Sequence, residues 1–310
     1  MALYPGFCGP SYRPQSRFVD CERLMNWHVQ KAQAQFARSP FALYPTPGVA
    51  AYLAAVESNV RALFGIGGRV WSIIAGNFYE AFSAGTLTTR GAVAIDGYPG
   101  TLTSNGNEQL FATSGSKGYV LDTVTHALTE VVADVTMGGM LDTFFLGLDS
   151  VTGTVKMSEA SNGLLWLESF QRSSAPDPFI AMLVANSKLY FWGEHSAEVW
   201  YNAGTSPVPF APFAGALIPY GIAAIFSAAD VNGQVVWLSG SQHGGYRVVR
   251  ASGYASAEPI STDALEHALA RYPRVDDAEG WSYQEDGHDF YVLNLPAANA
   301  TWVFDDAGGW

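Results

Sequence analysis

Six times along this chain an apolar, aromatic run is followed by a tight turn and a second run of alternating character. That repetition limits the fold more than any other feature. The units are Arg69–Phe82, Glu108–Val124, Asp142–Met157, Ser187–Tyr201, Gly233–Val249 and Gly287–Phe304. Their starts lie between 34 residues apart (108 to 142) and 54 residues apart (233 to 287). Propeller blades recur at about 40–50 residues, so the spacing fits radial repetition. In each unit the first run is the more hydrophobic, as in Leu189-Tyr190-Phe191-Trp192 and Val235-Val236-Trp237-Leu238. Such a strand is expected to be buried on both faces. The turns carry Gly, Asn, Asp or Ser, which tolerate the backbone that hairpins require. A small sheet of this kind cannot bury its own faces, and stacking on neighbouring sheets solves the problem. The expected fold is all-β: a β-propeller of about six or seven blades.

Composition agrees with this. Gly occurs 32 times and aromatics make up 14% of the chain, which suits short strands and tight turns. Charged residues make up only 14%, well under the usual quarter, which excludes a helical bundle with wet, charged faces. The 48% of hydrophobic residues is enough for a large core. The net charge of −12 offers no basic footprint for gripping phosphate. An acidic surface repels DNA and keeps a passage slippery, and it also simply serves solubility. No uninterrupted apolar stretch is long enough to span a membrane, and Met1–Pro10 lacks the basic start and apolar run of a leader. The two cysteines, Cys8 and Cys21, form no CxxC pair and are expected to be free thiols in a reducing cytosol.

Residues 1–50 differ from the rest. Pro5, Pro10, Pro14, Pro40, Pro45 and Pro47 break any long regular element. The segment reads as an extended N-terminal arm ahead of a propeller domain at 51–310, with room for a short helix over Glu22–Phe36. Its cations Arg13, Arg17, Arg23, Lys31 and Arg38, with Trp27 and Tyr44, are the candidate interface residues. Ala50–Ala62 scores as helix by propensity, but its place before the first unit favours a strand. Ser261–Tyr272 reads as a short inserted helix, capped by Thr262 or Ser261, with Leu265 and Leu269 on one face and Pro273 at its end.

No catalytic, cofactor or metal site emerges. Gly115-Ser116-Lys117-Gly118 lacks phosphate-loop spacing and reads as a hairpin turn. Gly240-Ser241-Gln242-His243-Gly244 misses the nucleophile-elbow pattern. None of His28, His126, His195, His243, His267 and His288 falls in HxxxH or HExxH spacing. The acidic pairs Asp276-Asp277, Glu285-Asp286 and Asp305-Asp306 read as solvated turns, because adjacent acids in a strand point to opposite faces. Trp192, Trp200, Tyr201, Trp237, Trp281 and Trp302 read mainly as packed core.

Several strings occur together in one order. Cys21-Glu22-Arg23-Leu24-Met25-Asn26-Trp27 precedes Ser39-Pro40-Phe41-Ala42-Leu43-Tyr44-Pro45-Thr46-Pro47-Gly48. Ser174-Ala175-Pro176-Asp177-Pro178 and the run from Gly193 through Glu198-Val199-Trp200-Tyr201 to Gly204 follow. Then come Ile260–Glu266, Tyr283–Leu293 and Asn299–Asp305. This ordered set resembles the packaged-DNA-stabilisation, or tail hub, family of short-tailed phages, across nearly the whole chain.

The resemblance implies a non-enzymatic virion protein of the tail, assembled in the host cytoplasm. It implies a homo-hexameric ring below the portal and its adaptor ring. That ring would extend the DNA channel, retain packaged DNA without sequence-specific binding, and dock a tail needle, spikes or fibres. No cofactor is implied. Family members are expected to continue past Asp305–Trp310, which leaves two readings: a short protein, or an incomplete chain whose propeller lacks closing strands. A glycan-binding propeller is the rival reading from the aromatics, and a propeller hydrolase is a third with no residues to support it.

Overall fold

The computed structural model describes residues 25–31, 39, 41–46, 48, 59–82, 86–172, 176–240, 245–306 and 309–310. Strands β1 (Trp27–Lys31) and β2 (Phe41–Pro45) form an antiparallel hairpin. The first blade holds β3 (Val60–Ile66), β4 (Arg69–Ile74), β5 (Asn77–Phe82) and β6 (Leu87–Ala92). The second holds β7 (Thr101–Ser104), β8 (Gln109–Ser114), β9 (Lys117–Asp122) and β10 (Leu128–Ala133). The third holds β11 (Met137–Leu141), β12 (Phe144–Asp149), β13 (Thr154–Glu159) and β14 (Asn162–Gln171). The fourth holds β15 (Ala181–Ala185), β16 (Lys188–Trp192), β17 (Ala197–Asn202) and β18 (Phe210–Ile218). The fifth holds β19 (Ala229–Val231), β20 (Gln234–Gly240), β21 (Tyr246–Ala251) and β22 (Ala257–Pro259). Helix α1 (Asp263–Leu269) leads to the sixth, with β23 (Glu279–Glu285), β24 (His288–Leu295) and β25 (Ala300–Asp305).

Every sheet is antiparallel and follows chain order, and the sixth has three strands among the described residues. The repeating units read from the sequence are the second and third strands of the six blades. The chain divides into two compact units. One spans Ala50–Ile218 and holds blades one to four; the other joins the described part of Met1–Val49 to Pro219–Trp310 and holds the hairpin and blades five and six.

The second strands carry the burial. Phe111, Phe145, Phe191 and Trp237 are fully buried, and so are their chain neighbours Leu110, Leu146, Trp192 and Leu238. Neighbours in a strand point to opposite faces, so both faces of each strand are covered. Between blades one and two, Trp71, Ile73 and Phe78 pack with Leu110, Tyr119 and Leu121. Between blades two and three, Phe111, Val120 and Phe145 form a smaller cluster, with Trp166 against it. In the other unit, Val236, Leu238 and Val248 of blade five meet Tyr291, Leu293 and Phe304 of blade six, with Leu265 and Leu269 of α1. Each such side chain contributes roughly 1.5–3 kcal/mol on burial.

The helix follows its sequence signature. Thr262 Oγ1 accepts a hydrogen bond from Leu265 N at 3.4 Å, and Leu265 and Leu269 are fully buried. The helix expected at Glu22–Phe36 is corrected where it is described. Trp27–Lys31 is a strand, because its hydrogen bonds go to β2 rather than along itself. Of Ala50–Ala62, Val60 to Ala62 begin β3 as expected, and 50–58 lie outside the described residues. No helix of the described residues is long and apolar enough to cross a membrane.

Blade six approaches the segment just before blade five closely at Gly280. Gly280 N donates to Phe226 O at 2.9 Å, and Tyr291 Oη donates to Ser227 O at 2.7 Å. A Cβ on Gly280 would overlap the Ser227 carbonyl, so only glycine permits this approach. Replacing Gly280 by Ala is therefore expected to destabilise the protein by more than a surface change, about 1–3 kcal/mol. Phe145→Ala is expected to cost about 3–5 kcal/mol through the cavity left between blades two and three. Urea unfolding of both variants checks the pair.

Candidate assembly surface

The described part of the proposed interface is the β1–β2 hairpin. Its register pairs Trp27 with Pro45, His28 with Tyr44, Val29 with Leu43 and Lys31 with Phe41. Its open end is tied where Thr46 N donates to Asn26 O at 2.9 Å, with Asn26 in the left-handed region at φ 59°. Val29 is buried, whereas Trp27 and Tyr44 are half-exposed. Arg13, Arg17, Arg23 and Arg38 lie outside the described residues, as do Cys8 and Cys21.

The hairpin rests on blade six. The His28 ring stacks on Tyr44 at 5.9 Å and meets the edges of His288 at 5.0 Å and Phe290 at 5.6 Å. Phe290 in turn stacks on Tyr283 at 4.8 Å. His288 and Phe290 lie on the face of β24 opposite Tyr291 and Leu293, so the hairpin covers what the blade-five cluster leaves open. His288 Nδ1 lies 2.9 Å from Asp305 Oδ2, and both residues are buried.

That contact corrects one reading. Asp305 is not a solvated turn acid but a buried partner of a histidine. Its neighbour Asp306, just past the end of β25, accepts from Arg250 Nη1 at 2.7 Å. Asp276 accepts from Arg274 Nε at 2.8 Å, and Asp277 accepts from Ala297 N at 2.7 Å. Glu285 and Asp286 sit at the β23–β24 turn, where Asp286 and Gly287 both have positive φ.

The buried Glu80 and Glu198 and the partly buried Asp177 are likewise committed to partners. Glu80 is fully buried and accepts from Arg69 Nη1 at 3.0 Å and Arg90 Nε at 2.7 Å. Glu198 accepts from Arg172 Nε at 3.0 Å and Trp200 Nε1 at 3.0 Å. Asp177 accepts from Ser196 Oγ at 2.8 Å, Glu194 N at 2.9 Å and Ser196 N at 3.0 Å. Burial pushes the Asp177 carboxyl up, but the Ser196 hydroxyl, the amides of His195 and Glu194 and the Arg172 charge outweigh it and hold its pKa below the usual carboxylate range. Glu279 moves the other way, raised by burial and by Asp277. A carboxylate saturated by amide and guanidinium donors holds structure together and is poorly placed to take a proton from a substrate.

Of the other motifs, the Gly115 turn and the tryptophans of β16, β17 and β20 fall where the sequence put them, whereas Trp281, read as packed core, is exposed. Gly115-Ser116 forms the β8–β9 turn with both residues at positive φ, so the phosphate-loop likeness is a hairpin. Residues 241–244 lie outside the described residues. Trp192, Trp200 and Trp237 are buried and Trp302 is partly buried, while Trp281 is half-exposed. Among the described residues, no group of three or more His, Cys, Asp or Glu side chains is placed to hold a metal ion.

Six consecutive antiparallel sheets with doubly buried second strands define a six-bladed β-propeller with one inserted helix. Over residues 28–309 the chain matches the family described as bacteriophage P22 Gp10, beta-propeller. The chain belongs to this family, whose role is the stabilisation of packaged DNA, and it is therefore a structural component of a phage virion. No curated protein matches it.

Solved structures match in fold alone. A streptogramin B lyase is 12% identical, covering 91% of this chain and 87% of its own, with a TM-score of 0.54. Virginiamycin B lyase from Staphylococcus aureus, inactive and with quinupristin, is 9% identical, covering 90% and 95%, with a TM-score of 0.54. A putative 6-phosphogluconolactonase from Bacteroides fragilis is 10% identical, covering 92% of each chain, with a TM-score of 0.55.

The depressed Asp177 pKa fixes the sign of one pH effect. Its stabilisation is full above the unfolded carboxylate value of about 3.9 and is lost as pH falls through the lower folded value. Asp177→Asn is expected to be less stable than the native chain at pH 7 by about 2 kcal/mol. The gap should shrink by pH 3, as urea unfolding at the two pH values would show.

Proposed function

We propose that this protein is a hub of the phage tail machine. In this reading it forms a homo-hexameric ring beneath the portal and its adaptor ring and continues the DNA channel. The ring retains packaged DNA and offers docking surface for a needle, spikes or fibres. It is not an enzyme, and it assembles in the host cytoplasm before joining the virion.

The observation that carries the reading is the family match over residues 28–309. Two further features support it. A net charge of −12 suits a passage through which DNA must slide without sticking. The buried Glu80 and Glu198 are committed to Arg partners and the partly buried Asp177 to amide and hydroxyl donors, which suits a rigid part more than a reactive one.

The N-terminal segment is the element proposed to reach the neighbouring subunit or the adaptor. Its Arg13, Arg17, Arg23, Lys31 and Arg38 are cations in a chain of opposite overall sign, and Trp27 and Tyr44 offer apolar surface beside them. Association driven this way weakens as salt rises.

Cryo-electron microscopy of the particle tests the reading directly. The expected result is this chain in a ring below the portal. Particles in which the chain lies elsewhere would overturn it. A chain beginning at Ala51 is expected to lose incorporation into particles. Trp27→Ala with Tyr44→Ala, which leaves His28 on blade six, should weaken incorporation about tenfold or more while keeping the native melting temperature.

A further inference from the structure

The β1–β2 hairpin precedes blade one in the chain but packs in the compact unit of blades five and six. It is a two-stranded sheet of its own, outside the blade-six ladder of β23, β24 and β25. Its join to that blade is a meeting of rings. His28 lies 5.0 Å from His288 and 5.6 Å from Phe290, and Phe290 stacks on Tyr283. His28 Nδ1 is enclosed at this join with no hydrogen-bond partner among the described residues. An enclosed polar nitrogen left unpaired costs stability, so the hairpin is seated by shape but not held as firmly as it could be.

The face beneath the hairpin needs cover. His288 is 8% and Phe290 is 2% exposed, and removing the hairpin would put both in water. A hairpin of this same sequence, with His28 and Tyr44 cross-paired, is the occupant that the structure shows to fit. The connection to the rest of the chain is long. Residues 46–59, 14 in number, lie between β2 and β3, where most connections in compact domains take about 4–6. Fully extended they span roughly 45 Å, comparable with the width of a compact domain of this length. Exchange of an identical element between copies leaves every face filled, so it costs little in contacts. Passed on in one direction from copy to copy, it closes into a ring with no face left bare.

We propose that the hairpin is exchanged on assembly: the β1–β2 hairpin of one copy lies on the Tyr283, His288 and Phe290 face of the next. The contact made within one chain in the free protein is remade between two chains in the ring. The assignment rests on the ring reading above and names the element that links each copy to its neighbour.

The test uses the full chain with a photo-crosslinking phenylalanine analogue in place of the half-exposed Tyr44. Circular dichroism establishes that this chain is folded, and light scattering gives its mass across concentration. The crosslinked products are sized on denaturing gels and their peptides mapped, for the free chain and for purified tail assemblies. In the free chain the expected crosslink runs within one chain to 279–295. In assemblies the same peptides should be joined between copies, with a shift of the product from monomer mass to dimer and higher. Rings whose crosslinks to 279–295 stay within chains, or whose crosslinks between copies map elsewhere, overturn the exchange and leave the ring reading standing. A probe that reaches 279–295 in neither state overturns the seat itself. A chain that stays monomeric at all concentrations and inside purified tail assemblies overturns both the exchange and the ring.

Discussion

A strand such as Leu189–Trp192, apolar on both faces, cannot be satisfied by the sheet that contains it. The sheet supplies hydrogen bonds at its edges, but the two faces need other sheets. This demand for cover on both sides repeats in β4, β8, β12, β16, β20 and β24, and the rest of the structure answers it. Stacking blade upon blade covers successive faces, and α1 fills space beside blades five and six. Where chain must approach chain closely, glycine is required, as at Gly280. The β1–β2 hairpin belongs to the same account, since it lies over the His288 and Phe290 face of blade six.

The parts of this fold that were legible in the sequence are the parts buried on two sides. Arg69–Phe82 and its five counterparts stand out because each second strand carries an apolar run, and each proved to be the second and third strands of a blade. First and fourth strands were silent for a physical reason. β6, with the sequence LTTRGA, and β10, with LTEVVA, face solvent on one side and need little hydrophobicity. β11, MGGML, hides behind two glycines whose absent side chains admit Phe111 and Val184. The extended arm read from the prolines left room for a helix where β1 lies, because the blade-six partner that makes His28 informative is distant in sequence.

Of the residues singled out in the N-terminal segment, Trp27 and Tyr44 are half-exposed on the β1–β2 hairpin, and Lys31 ends β1. What no local pattern revealed was the pairing of His288 with Asp305, since a DD dipeptide beside a glycine looks like a wet turn from sequence alone. The leucines of β14 were likewise hidden. Leu164-Leu165-Trp166-Leu167 reads as a buried run, and only two slips in the pairing of β14 to β13 turn three of its four residues outward.

The hairpin's position on blade six also sets an order of events during synthesis. Within each blade the strands pair with their chain neighbours, so every sheet can close soon after its residues leave the ribosome. The hairpin is made well before the His288 and Phe290 it rests on. A two-stranded hairpin alone is marginal in water. Until blade six is made, this element lacks the face it lies over, and it remains open to whatever other copies are being made beside it.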